Sequence, residues 1–383
     1  MDDLLSMQFF HLHTAHEMVL HPKRSTVWRR VIPDLAEGHR YLMHLLLALG
    51  GIHMITSRMG ERPGGEDDHL HTVDLRVVID HHQRGLQGFR EEVAKISNSN
   101  ADAVYAGSLL LVGFIYASLQ LPELNPPVTT ASLAFSRYVP APNRHTPLAV
   151  TPPQLSWMHL IRGVSTVIRD QWPALKASCM RPMVLHFHGD EYWKDLPFTS
   201  SLSRLSHCSS RLLLFAQGAI QAVADLRTTY AAVRLADRNE LRVTSVSPSS
   251  SSEGTGDEQS RAVGVLEELY SRIISVLQCS VSERGSPVDS DVQADFEEAA
   301  VLSWPILIPD DFISLLEVDD RADLTWGLSL IILAHFYVVN TLVERWYLVS
   351  FKAEIFKIQQ SVCNLRNAEL DQLMEWPMKV ATA

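Results

Sequence analysis

The sequence predicts an all-α protein: a large helical bundle or array around an apolar central cavity, with no significant sheet. Three observations predict it. Apolar residues recur at helical spacing, as in Leu86, Phe89, Val93 and Ile96, which step by three, four and three. The segments 41–55 and 324–343 are apolar on nearly every side, which suits helices at the centre of a large assembly. Alternating period-two runs, the signature of half-buried strands, are scarce.

Taken in order along the chain, the first strong element is the apolar helix over 41–55. The run Glu61-Arg62-Pro63-Gly64-Gly65-Glu66-Asp67-Asp68 is a polar turn after it. The helix carrying the Leu86 stripe follows, with Arg84, Arg90, Glu91 and Lys95 on its polar face. Eight prolines between 122 and 153 forbid a continuous helix and predict a Pro-rich loop. Residues 245–260, rich in Ser, Gly and acid, read as a disordered insertion, and 284–291 as a short break. The C-terminal helices are so apolar that they need the N-terminal ones to cover them. The expectation is therefore a single domain over 1–383.

Composition narrows the function. With 383 residues and 46% hydrophobic content, the chain can bury a large core. Its net charge is -11, and its densest basic spots are Lys23-Arg24 and Arg29-Arg30. Duplex binding needs clustered Lys and Arg to neutralise phosphates, so no DNA-binding residue is expected in this chain. The four cysteines, Cys179, Cys208, Cys279 and Cys363, include no Cys-x-x-Cys pair, which excludes a cysteine zinc cluster here. Scattered cysteines and an acidic Met1-Asp2-Asp3 start suit a reducing compartment and no secretory signal. Segments 103–122 and 324–343 are free of formal charge and approach spanning length. They contain Tyr105, Ser108, Ser118 and Gln120, and Thr325, Ser329, His335 and Asn340, so they read as buried helices and no membrane span is expected.

Motifs for chemistry are poor. His13, His16 and Glu17 could share a helix face and hold a metal, but an exposed polar face explains them better. His186, His188, Asp190 and Glu191 could ligate zinc if extended, but a polar loop ahead of Tyr192-Trp193 explains them better. Gly163-Val164-Ser165-Thr166-Val167 fails the nucleophile-elbow pattern at its last position, and His207 beside Cys208 says little about spatial pairing. No catalytic residue, metal ligand or cofactor is expected. The one element given a ligand role is the helix over 324–343. Gly327 would let another group approach its backbone, Leu328, Ile331 and Ile332 give apolar wall, and His335 and Asn340 could orient a hydroxyl. The competing reading is a core helix whose His and Asn bond to neighbours.

Several segments together resemble a known family. Met7-Gln8-Phe9-Phe10-His11-Leu12-His13, Val27-Trp28-Arg29-Arg30-Val31-Ile32-Pro33 and His39-Arg40-Tyr41-Leu42-Met43-His44-Leu45-Leu46-Leu47 open the chain. His82-Gln83-Arg84-Gly85-Leu86-Gln87-Gly88-Phe89-Arg90 and Leu160-Ile161-Arg162-Gly163-Val164 follow. Trp304-Pro305, Leu333-Ala334-His335-Phe336-Tyr337, Trp346 and Trp376-Pro377 close it. This ordered set resembles the C-terminal regulatory domain of fungal binuclear zinc-cluster transcription factors, in the sterol-uptake regulator branch. The resemblance implies a nuclear regulator of secondary-metabolite clusters or of sterol and lipid genes, not an enzyme. It also implies an apolar, sterol-like ligand in the C-terminal region and a nuclear protein partner or a homodimer. An apolar-metabolite-binding accessory protein without DNA binding is the alternative. Family members carry a six-cysteine cluster ahead of this domain, whereas here the domain starts almost at Met1. DNA would then be reached through a partner or through a zinc cluster encoded upstream.

Overall fold

Every regular element in the computed structural model is helical among the residues it describes, which are 2–19, 22–60, 73–124, 155–184, 209–243, 252–280, 299–317 and 324–383. The first helix, α1 (Asp2–Phe9), runs on through a π-helical turn at Phe10–Thr14 to Ala15–Glu17. Helix α2 (Pro22–Thr26) passes through a second π turn, Val27–Val31, into α3 (Ile32–Gly38), which carries Pro33 in its first turn, where a missing N–H costs nothing. The apolar helix expected over 41–55 is α4 (Arg40–Gly60).

Helix α5 (Leu75–Val93) starts at Asp74, whose carboxylate accepts from the Arg76 N–H at 2.9 Å and so satisfies one orphan donor of the first turn. Of the predicted stripe, Phe89 is buried and Leu86 and Val93 pack on the core, while Ile96 lies in the turn beyond the helix. The polar face of Arg84, Arg90, Glu91 and Lys95 is exposed as expected. Helix α6 (Ala101–Ser118) is buried on nearly all sides. Next come α7 (Ser156–Asp170), α8 (Trp172–Ala177), α9 (Arg181–Val184), α10 (Ser210–Val243) and α11 (Ser252–Ser280).

A third π turn, Ala299–Ser303, leads into α12 (Trp304–Leu307), followed by α13 (Asp310–Glu317) and the apolar α14 (Leu324–Leu342). A short 3-10 turn at Trp346–Leu348 feeds α15 (Ser350–Asn364). Arg366 stands at φ 53°, the left-handed conformation that ends a helix, and Asn367 then caps α16 (Ala368–Thr382) by accepting from Glu369 N–H and Leu370 N–H.

One expectation is corrected. Residues 252–260, read as disordered from their Ser, Gly and acid content, are helical as the start of α11. The reason is tertiary: Gln259 is buried, and its amide donates to the Thr325 carbonyl and the Ser329 hydroxyl of α14 at 2.8 and 2.7 Å. The Glu61–Asp68 turn, most of the Pro-rich stretch, 244–251 and 284–291 lie outside the described residues.

Three helices, α4, α6 and α14, are long and apolar enough to cross a membrane by length and composition. In the structure their apolar surface is covered by the rest of the protein. Helix α14 packs against α10, α11, α13, α15 and α16, and α4 against α1, α3, α5 and α6. The centre is aromatic. Trp157 meets Trp304 edge-on at 5.5 Å, Trp304 stacks on Phe336 at 5.0 Å, and Tyr337 meets Phe351 edge-on at 5.0 Å. Buried tyrosines tie distant segments together. Tyr116 donates to the Val301 carbonyl, Tyr105 to Met183, Tyr270 to His335 and Tyr347 to Met18. At the other seam α1 rides directly on α4. A Cβ at Gly50 would stand 2.4 Å from the Ser6 carbonyl oxygen, so only glycine permits that approach.

Candidate functional site

The structure brings the five expected ligand residues together on α14 and gives each a partner within the protein. Leu328 and Ile331 are fully buried. The close approach at Gly327 comes from Leu365 and Leu370, whose Cδ1 atoms would meet an added Cβ at 2.4 and 3.0 Å. His335 directs Nδ1 to the Ile331 carbonyl at 2.8 Å and stacks on Trp376. Burial lowers its pKa to about 4, so it is neutral. Asn340 donates to the Ala300 carbonyl at 2.9 Å and accepts from Trp304 Nε1 at 3.2 Å.

The apolar hollow that the described residues line is elsewhere. It is bounded by Met18, Trp28, Leu109, Val112, Val301 and Tyr347, not by α14. Packed aromatics, Trp304, Phe336, Tyr337 and Phe351, stand around the 324–343 helix, and this hollow sits among α2, α6, α9 and the turn before α15. Two of the π turns supply its walls, Val27–Val31 through Trp28 and Ala299–Ser303 through Val301. Its volume is about 60 Å³, well short of the roughly 300–1,000 Å³ of small-molecule sites. Its polar atoms are few. Arg24 gives Nε to the Pro182 carbonyl, and Tyr347 donates to Met18. Trp28 Nε1 is a buried donor with no hydrogen-bond partner among the described residues.

A second concentration of polar groups joins α1, α4 and α5, and sequence reasoning missed it. His44 Nδ1 and His81 Nδ1 stand 2.9 Å apart, and His81 Nε2 meets the Asp3 carboxylate at 3.1 Å. His53 bonds Thr14 Oγ1 at 2.9 Å and lies flat on Trp346 at 3.7 Å. His82 lies flat on Phe114 at 3.9 Å. Burial lowers His53 to about 3 and His82 to about 4, and it also lowers His44. The available signal was His44 and His53 inside an otherwise apolar helix, where a polar side chain needs a partner.

The remaining motifs that fall on described residues are dispersed. His13 and His16 are exposed, and Glu17 lies 3.6 Å from His53. Among the described residues no three His, Cys, Asp or Glu side chains are gathered to hold a metal. Ser165 is inside α7 and donates to the Arg162 carbonyl. His186, His188, Asp190, Glu191, His207 and Cys208 lie outside the described residues.

Comparison with known proteins bears out the resemblance read from the sequence. Residues 4–121, which hold α1 to α6, match the family described as fungal specific transcription factor domain. The chain is 29% identical to Sterol uptake control protein 2 of Saccharomyces cerevisiae over 152 residues, 40% of this chain and 13% of that protein. It is 25% identical to Sterol uptake control protein 2 of Candida albicans over 154 residues, 40% of this chain and 17% of that protein. The aligned segment therefore covers less than a fifth of these curated relatives. No solved structure matches.

Proposed function

We propose that this chain is the regulatory domain of a fungal transcription regulator, acting as one unit in the nucleus. The observation that carries the reading is the match over 4–121 to a fungal transcription factor domain. The continuous hydrophobic core from Phe10 to Ala381 supports treating the rest of the chain as part of the same unit. Both relatives are named for control of sterol uptake, which favours sterol or lipid genes as targets, with a secondary-metabolite cluster as the other target class. With a net charge of -11 and no dense run of Lys and Arg along its sequence, the chain would reach DNA through a zinc-cluster segment or a partner protein.

The ligand-sensing part of the reading rests on the apolar hollow. A sterol-like molecule would seat its apolar body there and offer its one oxygen to Trp28 Nε1, the donor that lacks an acceptor. At about 60 Å³ the hollow must widen first, so the ligand would favour a second packing in which the Met18–Trp28 segment moves. Gly327, Leu328, Ile331, His335 and Asn340 enter as core that holds the present packing.

Deleting the gene and profiling transcripts tests the regulatory reading. Lower transcripts for a coherent gene set are expected, and unchanged transcripts would overturn it. Native mass spectrometry of the chain from its own host tests the ligand. A stoichiometric apolar adduct that Trp28→Phe loses is expected, and an adduct that survives Trp28→Phe would place the ligand elsewhere.

A further inference from the structure

A groove of about 450 Å³ opens where α14 ends and α15 begins. That is within the size range of small-molecule sites, about 300–1,000 Å³. Cations from three separate stretches of chain line it: Arg211 of α10, Arg345 of the turn after α14, and Lys352 of α15, with Glu344 the carboxylate beside them. In a chain of net charge -11, such a gathering is against the local average.

Two buried donors in this groove have no acceptor among the described residues. Arg211 gives Nη1 to the Thr341 carbonyl at 2.9 Å and so caps the end of α14, but its Nε is buried without a hydrogen-bond partner. Trp346 accepts through its carbonyl from Gln120 Nε2, while its indole Nε1 is likewise buried without a partner. Lys352 forms no ion pair among the described residues and its side chain is exposed. Buried donors are almost always satisfied in folded proteins, so two in one hollow imply a missing acceptor. The rest of the wall is aliphatic, from Val343, Leu348 and Val349, the last 62% exposed.

Cations and orphan donors call for an anionic head, and an aliphatic wall beside them calls for a tail. We propose that this groove binds a straight-chain aliphatic carboxylate. The head lies against Arg211, Lys352 and the Trp346 indole, and the tail lies along Val343, Leu348 and Val349. This site shares no wall residue with the apolar hollow, although the 3-10 turn gives Tyr347 to the hollow and Trp346 and Leu348 to the groove, and it does not depend on the regulatory reading.

Isothermal titration of the purified full chain with decanoate, decanol and acetate tests it. Decanoate is expected to bind saturably at one site, with decanol and acetate each at least about tenfold weaker, since charge-assisted contacts and apolar burial both contribute. Lys352→Gln should weaken decanoate about threefold, the scale of one exposed charge. Val349→Asp puts a charged group in the aliphatic wall under the tail and should weaken it about tenfold, through lost apolar contact and the cost of desolvating the new carboxylate. It also adds an acid at the start of α15, which suits the helix dipole, so the melting temperature should hold or rise and exclude unfolding as the cause. The proposal is overturned if decanoate does not bind, if decanol binds as tightly, or if Val349→Asp leaves decanoate affinity unchanged.

Discussion

The seam between α1, α4 and α5 and the core around α14 bury polar groups in different ways. At the seam, titratable groups meet each other: Asp3 with His81, His81 with His44, and Glu17 near His53. Around α14, polar side chains are satisfied mainly by backbone carbonyls, as Asn340 is by Ala300, His335 by Ile331 and Tyr270 by His335. A carbonyl has no protonation state, so in the second arrangement only His335, which burial lowers to about 4, answers to acid, while the first gathers several titratable groups. The contrast teaches that the α14 core should respond most to lost packing and the seam to acid.

The largest effect tests the core. Trp304 is fully buried, donates to Ala300 and Asn340, and stacks on Phe336. Trp304→Ala should cost about 3–5 kcal/mol in urea unfolding. A loss under about 1 kcal/mol would break the comparison on that side.

Acid comes next. Burial holds His53 neutral by lowering its pKa from 6.5 to about 3, so below about 6.5 the unfolded chain binds a proton that the folded chain refuses. The stability this histidine contributes is complete above about 6.5 and is lost as pH falls toward 3, at about 1.4 kcal/mol per pH unit. Unfolding at pH 7.5 and pH 5.0 should therefore differ by about 2 kcal/mol from His53 alone. His82, lowered to about 4 and lying on Phe114, adds in the same direction. Replacing it by Phe keeps a ring there and should flatten the pH dependence; a slope unchanged by His82→Phe would count against the seam as the acid-sensitive part.

The smallest effect is at the rim. The Asp3 side chain is 67% exposed where it meets His81. Asp3→Ala should lower the melting temperature by no more than about 3 °C, the usual scale of an exposed pair. A larger fall would show that α1 is held by this contact more than by its seat on Gly50.

Helices α4, α6 and α14 were legible because long apolar segments, two of them dotted with polar groups such as Ser108 and Asn340, read as interior, and the structure packs neighbours against them. The start of α11 was not, because its anchor is a single buried glutamine reaching α14, and local composition carries no trace of that contact. The candidate site was less legible still. The sequence singled out His335 and Asn340 as rare polar groups in an apolar helix, but whether such a group is free depends on partners such as Ala300 and Trp304, which stand far from Asn340 in sequence. The π turns that wall the hollow leave no hydrophobic period, and the groove cations are spread from 211 to 352.

The tyrosine ties bear on how the chain is made. The hydroxyl of Tyr347 reaches the carbonyl of Met18 across 329 positions, and His53 lies flat against Trp346. On a ribosome, α1 to α6 emerge first, yet the surface that closes over them is translated near the end. Contacts between such remote positions form late, because the intervening loop must be closed before they contribute. Until then the apolar faces of α4 and α6 stand open to solvent, so newly made protein has reason to need a chaperone's protection.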